Sequence, residues 1–122
     1  MTTLGRSYAD GEMIVTQGES GDCMYVIQEG EVEVFVRRDG RDIPIAVRKS
    51  GEFFGEMAIF EREKRSASVR ARGPARVLTV DRKQLLSRIQ DDPSLAYRLV
   101  QTMSARIREL SEEVARLKSG AS

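Results

Sequence analysis

The hydrophobic positions of this chain change their period once. Up to about residue 80, apolar residues fall in short alternating runs broken by glycine; beyond it they recur every three or four residues. Glu12 to Gln17 reads as a β-rich run ending at Gly18, just after the pattern begins near Tyr8. Met24 to Gln28 and Glu31 to Arg37 flank Gly30, which predicts two strands joined by a tight turn. In the second run Val32, Val34 and Val36 share one face while Glu31, Glu33 and Phe35 take the other, as in a half-buried strand. Asp39-Gly40 predicts a type I′ hairpin, because that turn needs positive φ at both central residues. Ile43, Ile45 and Val47 alternate after it, and Ser66 to Arg72 and Arg76 to Val80 follow, separated by Gly73-Pro74. The expected fold is mainly β with C-terminal helices: a β-roll (a double-stranded β-helix or jelly-roll-like barrel) over about residues 8–80.

Asp81 is a good N-cap with Gln84 three residues on, as in a capping box, so a short helix is predicted over about 82–90. Asp92-Pro93 is a second start, since proline suits the first helical turn. No glycine and no further proline occurs before Lys118. A helix over about 93–117 would be roughly 25 residues and nearly 40 Å long. Ser119 to Ser122 should fray.

Along this helix Val100, Met103, Ile107, Leu110, Val114 and Leu117 alternate spacings of three and four. β-branched residues at a and mostly leucine at d favour a parallel two-stranded coil, with Glu113 at g and Lys118 at e for an interhelical ion pair. The expected assembly is a homodimer through these six residues; Leu95, Ala96 and Leu99 are expected to face the barrel.

Composition narrows the chemistry. A length of 122 residues with 40% apolar and 32% charged positions suits one domain, residues 1–122, around one core. No run of about 18 apolar residues spans a membrane, and the first ten residues lack a signal-peptide core. The lone Cys23 allows no intrachain disulfide, which fits the cytoplasm. With 20 basic against 19 acidic residues there is no electrostatic footprint for nucleic acid. Zero histidines exclude histidine triads and histidine metal sites, including those of cupin-type barrel enzymes. The chain therefore reads as a non-enzyme without metal or cofactor.

The segment from Gly51 to Ala71 carries a different chemistry. Gly55 before Glu56-Met57-Ala58-Ile59-Phe60 predicts one helical turn directly after a strand, and free N–H groups there attract an anion. Arg65, beside Ser66 and Ala67, can fork two hydrogen bonds onto a phosphate. Glu56 makes sense beside a phosphate if it accepts hydrogen bonds from a sugar hydroxyl. Phosphate and ribose together mean a nucleotide.

Gly55-Glu56 with Arg65-Ser66-Ala67 resembles the phosphate-binding cassette of the cyclic-nucleotide-binding domain family, which includes bacterial catabolite activators and protein kinase A regulatory subunits. The resemblance runs from about Tyr8 to Leu117 and includes Gln17-Gly18-Glu19, Gly21-Asp22, Gly30 and Pro93. It implies cyclic AMP as ligand, with cyclic GMP or another small anion as alternatives. Arg65 would pair with the cyclic phosphate, helped by Ser66, Ala67 and the backbone N–H groups of about Glu56 to Ala58. Glu56 would bind the ribose 2′-hydroxyl. Val34, Ile45 and Phe54 match apolar positions beside the ligand. Arg106 matches a residue that reaches the cassette glutamate, and Ser111 one that contacts the base from the partner subunit. Leu110 stands where the catabolite activator has a base-contacting threonine, Lys64 where a proline is common, and Ser66 where cyclic-GMP binders carry threonine. Ligand phosphate would draw the Gly55 to Ala67 segment inward, and the hinge between the two helices would reposition the long helix over the base, passing the signal to a separate partner. The chain stops where the catabolite activator continues into a DNA-binding domain, so the sensor part of such a regulator is the alternative reading.

Overall fold

The computed structural model describes residues 5–61 and 63–120. Among these residues six strands and three helices follow in order: β1 (Arg6–Tyr8), β2 (Met13–Val15), β3 (Cys23–Arg38), β4 (Arg41–Lys49), β5 (Phe53–Phe54), α1 (Met57–Phe60), β6 (Ser68–Asp81), α2 (Arg82–Asp91) and α3 (Ser94–Ser119). The mainly β architecture with C-terminal helices is the expected one. The strands form a single antiparallel sheet of order β1-β6-β3-β4, with β2 also on β6 and β5 also on β3. It is an open sheet rolled on itself, not a closed barrel: Tyr8, Val15, Ile27, Val32, Phe54, Val69, Ala71 and Val77, drawn from five strands, share one core. The chain divides into two compact units at Gln84/Leu85.

The turn predicted at Gly30 and the break predicted at Gly73-Pro74 are bulges instead. The runs on either side of Gly30 form one continuous strand, β3, and those on either side of Gly73-Pro74 form another, β6. Glu31 faces Arg72 and Glu29 faces Arg76, so Gly30 sits opposite the three residues Gly73 to Ala75. Both glycines have positive φ, +81° and +72°, the property that made them look like turn residues. The extra residues bend two long strands together, which lets one pair of strands serve the whole roll. Cross-strand ion pairs hold this register from outside: Glu29 with Arg76, Glu31 with Arg72 at 3.5 Å, and Glu33 with Arg70 at 3.4 Å.

Phe35 also departs from the simple alternation. It lies opposite Val32 in the pattern, yet it is only 2% exposed. Arg70 covers it, with its guanidinium 4.1 Å above the ring and pinned by Glu33 and Asp42. The strand is therefore buried on both sides here. On β4, Ala46 pairs with Val34 but Pro44 with Phe35, which loops Ile45 out of register. Ile43 and Ile45 end up exposed.

The local signals hold. Asp39 and Gly40 both have positive φ, at 54° and 73°. The capping box forms reciprocally: the Gln84 N–H donates to Asp81 Oδ1 at 2.8 Å and the Asp81 N–H to Gln84 Oε1 at 2.9 Å. Asp92 accepts from the Ser94 hydroxyl at 2.5 Å and from the Ser94 N–H at 3.2 Å at the start of α3, and these bonds, the hydroxyl's first, hold its carboxyl below the usual carboxylate range. Ser119 is the last residue of α3; residues 121–122, at the end of the expected frayed tail, lie outside the described residues. Within α3, Leu99 is buried and Leu95 and Ala96 are half-buried. Val100, Ile107, Leu110, Val114 and Leu117 are exposed in the single chain, with Met103 half-buried. Among the described residues, no helix is long and apolar enough to cross a membrane.

Candidate functional site

The site forms where β5 ends. Gly55 takes φ +79°, a value open to glycine, and turns the chain from Phe54 into α1. Further on, the main chain of Arg65 is clipped to the loop after β2: the Gly18 N–H donates to Arg65 O and the Arg65 N–H to Glu19 O, each at 2.8 Å. Ser68, buried at the start of β6, accepts the Gln17 N–H at 2.9 Å and anchors the same loop. The Gly18–Glu19 loop and the Arg65 segment, distant in sequence, are thus one backbone-bonded pair.

From that anchor the Arg65 side chain reaches back to the start of α1. Nη1 donates to the Gly55 carbonyl at 3.0 Å and Nη2 to the Cys23 carbonyl at 2.9 Å, with Cys23 Sγ at 3.7 Å. The same Gly55 carbonyl accepts the Ala58 N–H at 3.3 Å, so guanidinium and helix start meet on one oxygen. Cζ of Arg65 lies 5.6 Å from the centre of the Tyr25 ring, which stacks on Phe54 at 5.1 Å and 14°. Burial, then the hydrogen bond from the Cys23 thiol, push the Tyr25 phenol up to about 12, so it is protonated at neutral pH. Two carbonyls, a thiol and a ring lie against the guanidinium.

Residues 5–92 match the cyclic nucleotide-binding domain, most of the chain. The chain belongs to the cyclic nucleotide-binding domain family. It is 36% identical over 119 residues to a protein of Rhodopseudomonas palustris whose name describes a potassium channel, covering 95% of this chain and 28% of that one. It is 31% identical over 112 residues to the cAMP-activated global transcriptional regulator CRP of Salmonella typhimurium, covering 90% of this chain and 53% of that one. The catabolite activator protein of Thermus thermophilus superimposes with a TM-score of 0.82 at 32% identity, over 93% of this chain and 54% of that one. The chain thus spans at most about half the length of these relatives.

Within this cyclic nucleotide-binding domain the predicted residues are spread unevenly. Gly55, Glu56 and Arg65 come together at the start of α1, with Met57 exposed and Ala58 buried on the helix itself. Ser66 is exposed and Ala67 half-buried, both next to Arg65 in the chain. Phe54 is buried under Tyr25, and Val34 packs against the core. Ile45 stands apart: looped out on β4, it lines an open groove of about 470 Å³ with Glu33, Pro44, Ala46, Val47 and Arg72. Arg106 and Ser111 lie on α3, in the second unit, half-buried and exposed respectively. Sequence reasoning gave Cys23 and Tyr25 no part in the site. Their spacing of two on one strand, which places both on one face, was the signal available.

Proposed function

We propose that this domain is a cytoplasmic sensor that binds cyclic AMP and passes the signal to a separate partner. The observation that carries this reading is the Arg65 guanidinium, held by neutral groups on the Gly55 carbonyl at the start of α1. In this reading Arg65, with Ser66, Ala67 and the main chain of Gly55 to Ala58, takes the cyclic phosphate, and Glu56 takes the ribose hydroxyl. Val34, Ile45 and Phe54 supply apolar contacts, and Arg106 and Ser111 act from α3. The relatives' regulatory names support a binding role over catalysis, and the name of the Salmonella protein supports cyclic AMP. The break between α2 and α3, where Asp92 and Pro93 interrupt the helix, is the joint at which binding becomes movement of α3. A second reading, the sensor part of a DNA-binding regulator, is supported by the likeness to CRP over 90% of the chain; a gel-shift assay on the intact gene product separates the two.

Calorimetric titration with cyclic AMP, cyclic GMP and linear AMP tests the ligand. Cyclic AMP should bind more tightly than cyclic GMP, and linear AMP weakest of the three. Binding heat from neither cyclic nucleotide would defeat the reading.

The stripe on α3, exposed at every position but the half-buried Met103, supports a homodimer through Val100, Met103, Ile107, Leu110, Val114 and Leu117. Leu110, at 61% exposure, costs little to change within one chain. Leu110→Asp should therefore sediment as a folded monomer where the parent sediments as a dimer. An unchanged dimer would exclude the seam.

A further inference from the structure

The guanidinium of Arg65 lies in a socket built by described residues of several segments. Tyr25 forms one wall, backed by the Phe54 ring. The Cys23 and Gly55 carbonyls form the floor. Gly21 closes the edge: a Cβ there would stand 2.4 Å from Nη2 and 2.6 Å from Nε of Arg65. A Cβ on Gly55 would meet Nη1 at 2.8 Å and the Tyr25 ring at 3.3 Å. Two glycines and an aromatic ring thus lie against the guanidinium, and a side chain at either glycine would collide with it. An arginine fixed before its anion arrives loses less side-chain freedom on binding.

We propose that Tyr25 and Gly21 are positioning residues of the anion site, acting through Arg65 and not by touching the nucleotide. This rests on the reading of Arg65 as the phosphate ligand. The ring of Tyr25 carries the effect; its hydroxyl accepts from the Cys23 thiol at 3.6 Å. Gly21 acts by leaving room. An added methyl there meets the flexible end of a side chain and not backbone, so it displaces the guanidinium while the fold stays intact.

The test is a set of cyclic AMP titrations on Tyr25→Phe, Tyr25→Leu and Gly21→Ala, each alone and combined with Arg65→Ala. Tyr25→Phe should bind as the parent does. Tyr25→Leu and Gly21→Ala should each bind about tenfold more weakly, the scale of a partly desolvated cation–π contact. In the Arg65→Ala background both changes should alter affinity by less than about twofold, because coupled residues are not additive. The full tenfold loss in both backgrounds, or Tyr25→Phe as damaging as Tyr25→Leu, would overturn the proposal. Arg65→Ala without effect would instead remove the ligand reading, and this inference with it. Should Tyr25→Leu fail to fold, NMR of the nucleotide-free protein decides. The parent should show separate Arg65 Nη1 and Nη2 resonances from restricted rotation, and Gly21→Ala a single averaged one. An averaged signal in the parent overturns the socket.

Discussion

Replacing Arg65 by alanine is expected to weaken cyclic AMP binding by about 10- to 150-fold, the worth of roughly 1.5–3 kcal/mol for hydrogen bonds to a charged group. The guanidinium is a cation at the start of α1, and it brings a planar fork that a phosphate can use bidentately. Arg65→Lys keeps the charge without the fork and should fall between parent and alanine. The alanine variant also strips the Gly55 and Cys23 carbonyls of a donor, so its thermal midpoint should be recorded with its affinity. A loss of binding at an almost unchanged midpoint assigns the effect to the anion. Affinity equal to the parent's would show that the nucleotide does not use this arginine.

Gly30→Ala should be the most damaging small change to the fold. At φ +81° an alanine adopts a left-handed conformation at a cost of about 1–2 kcal/mol. Its Cβ would also lie 2.3 Å from the Pro74 carbonyl oxygen and 3.0 Å from Ala75 Cα, both backbone atoms of the facing bulge. Crowding of this kind costs a further ~1–3 kcal/mol. The sum, about 2–5 kcal/mol, corresponds to a fall in midpoint of roughly 10–20 °C for a chain of this size. Gly40→Ala is the matched control: its φ is +73°, yet nothing lies within 4 Å of the added Cβ. Thermal unfolding should show Gly40→Ala losing only about 1–2 kcal/mol, the backbone cost alone. Equal losses at the two sites would mean that the opposed bulges are not in close contact.

These two glycines also mark how far sequence reaches here. Positive φ is a local demand, and glycine announces it at both Gly30 and Gly40. Whether such a residue reverses the chain or bulges a continuing strand depends on what the partner strand does. Gly30 is a bulge because Gly73, Pro74 and Ala75 oppose it, and that pairing is non-local. The capping box of Asp81 and Gln84, the hairpin at Asp39-Gly40 and the break at Asp92-Pro93 were legible because each is complete within a few residues. Phe35 was not, since its cover is Arg70 from another strand. The same division holds at the site. Gly55, Glu56 and Arg65 were legible from their types and spacing. The groups that hold Arg65 in place were not, because two are main-chain carbonyls, which every residue has, and Tyr25 resembles any other strand aromatic.

The most direct test is a crystal structure of the domain grown with cyclic AMP. The cyclic phosphate should sit on the Arg65 guanidinium and the amides at the start of α1, with the ribose 2′-hydroxyl on the Glu56 carboxylate. A well-ordered nucleotide bound elsewhere, with Arg65 still turned wholly to the Gly55 and Cys23 carbonyls, would contradict the account.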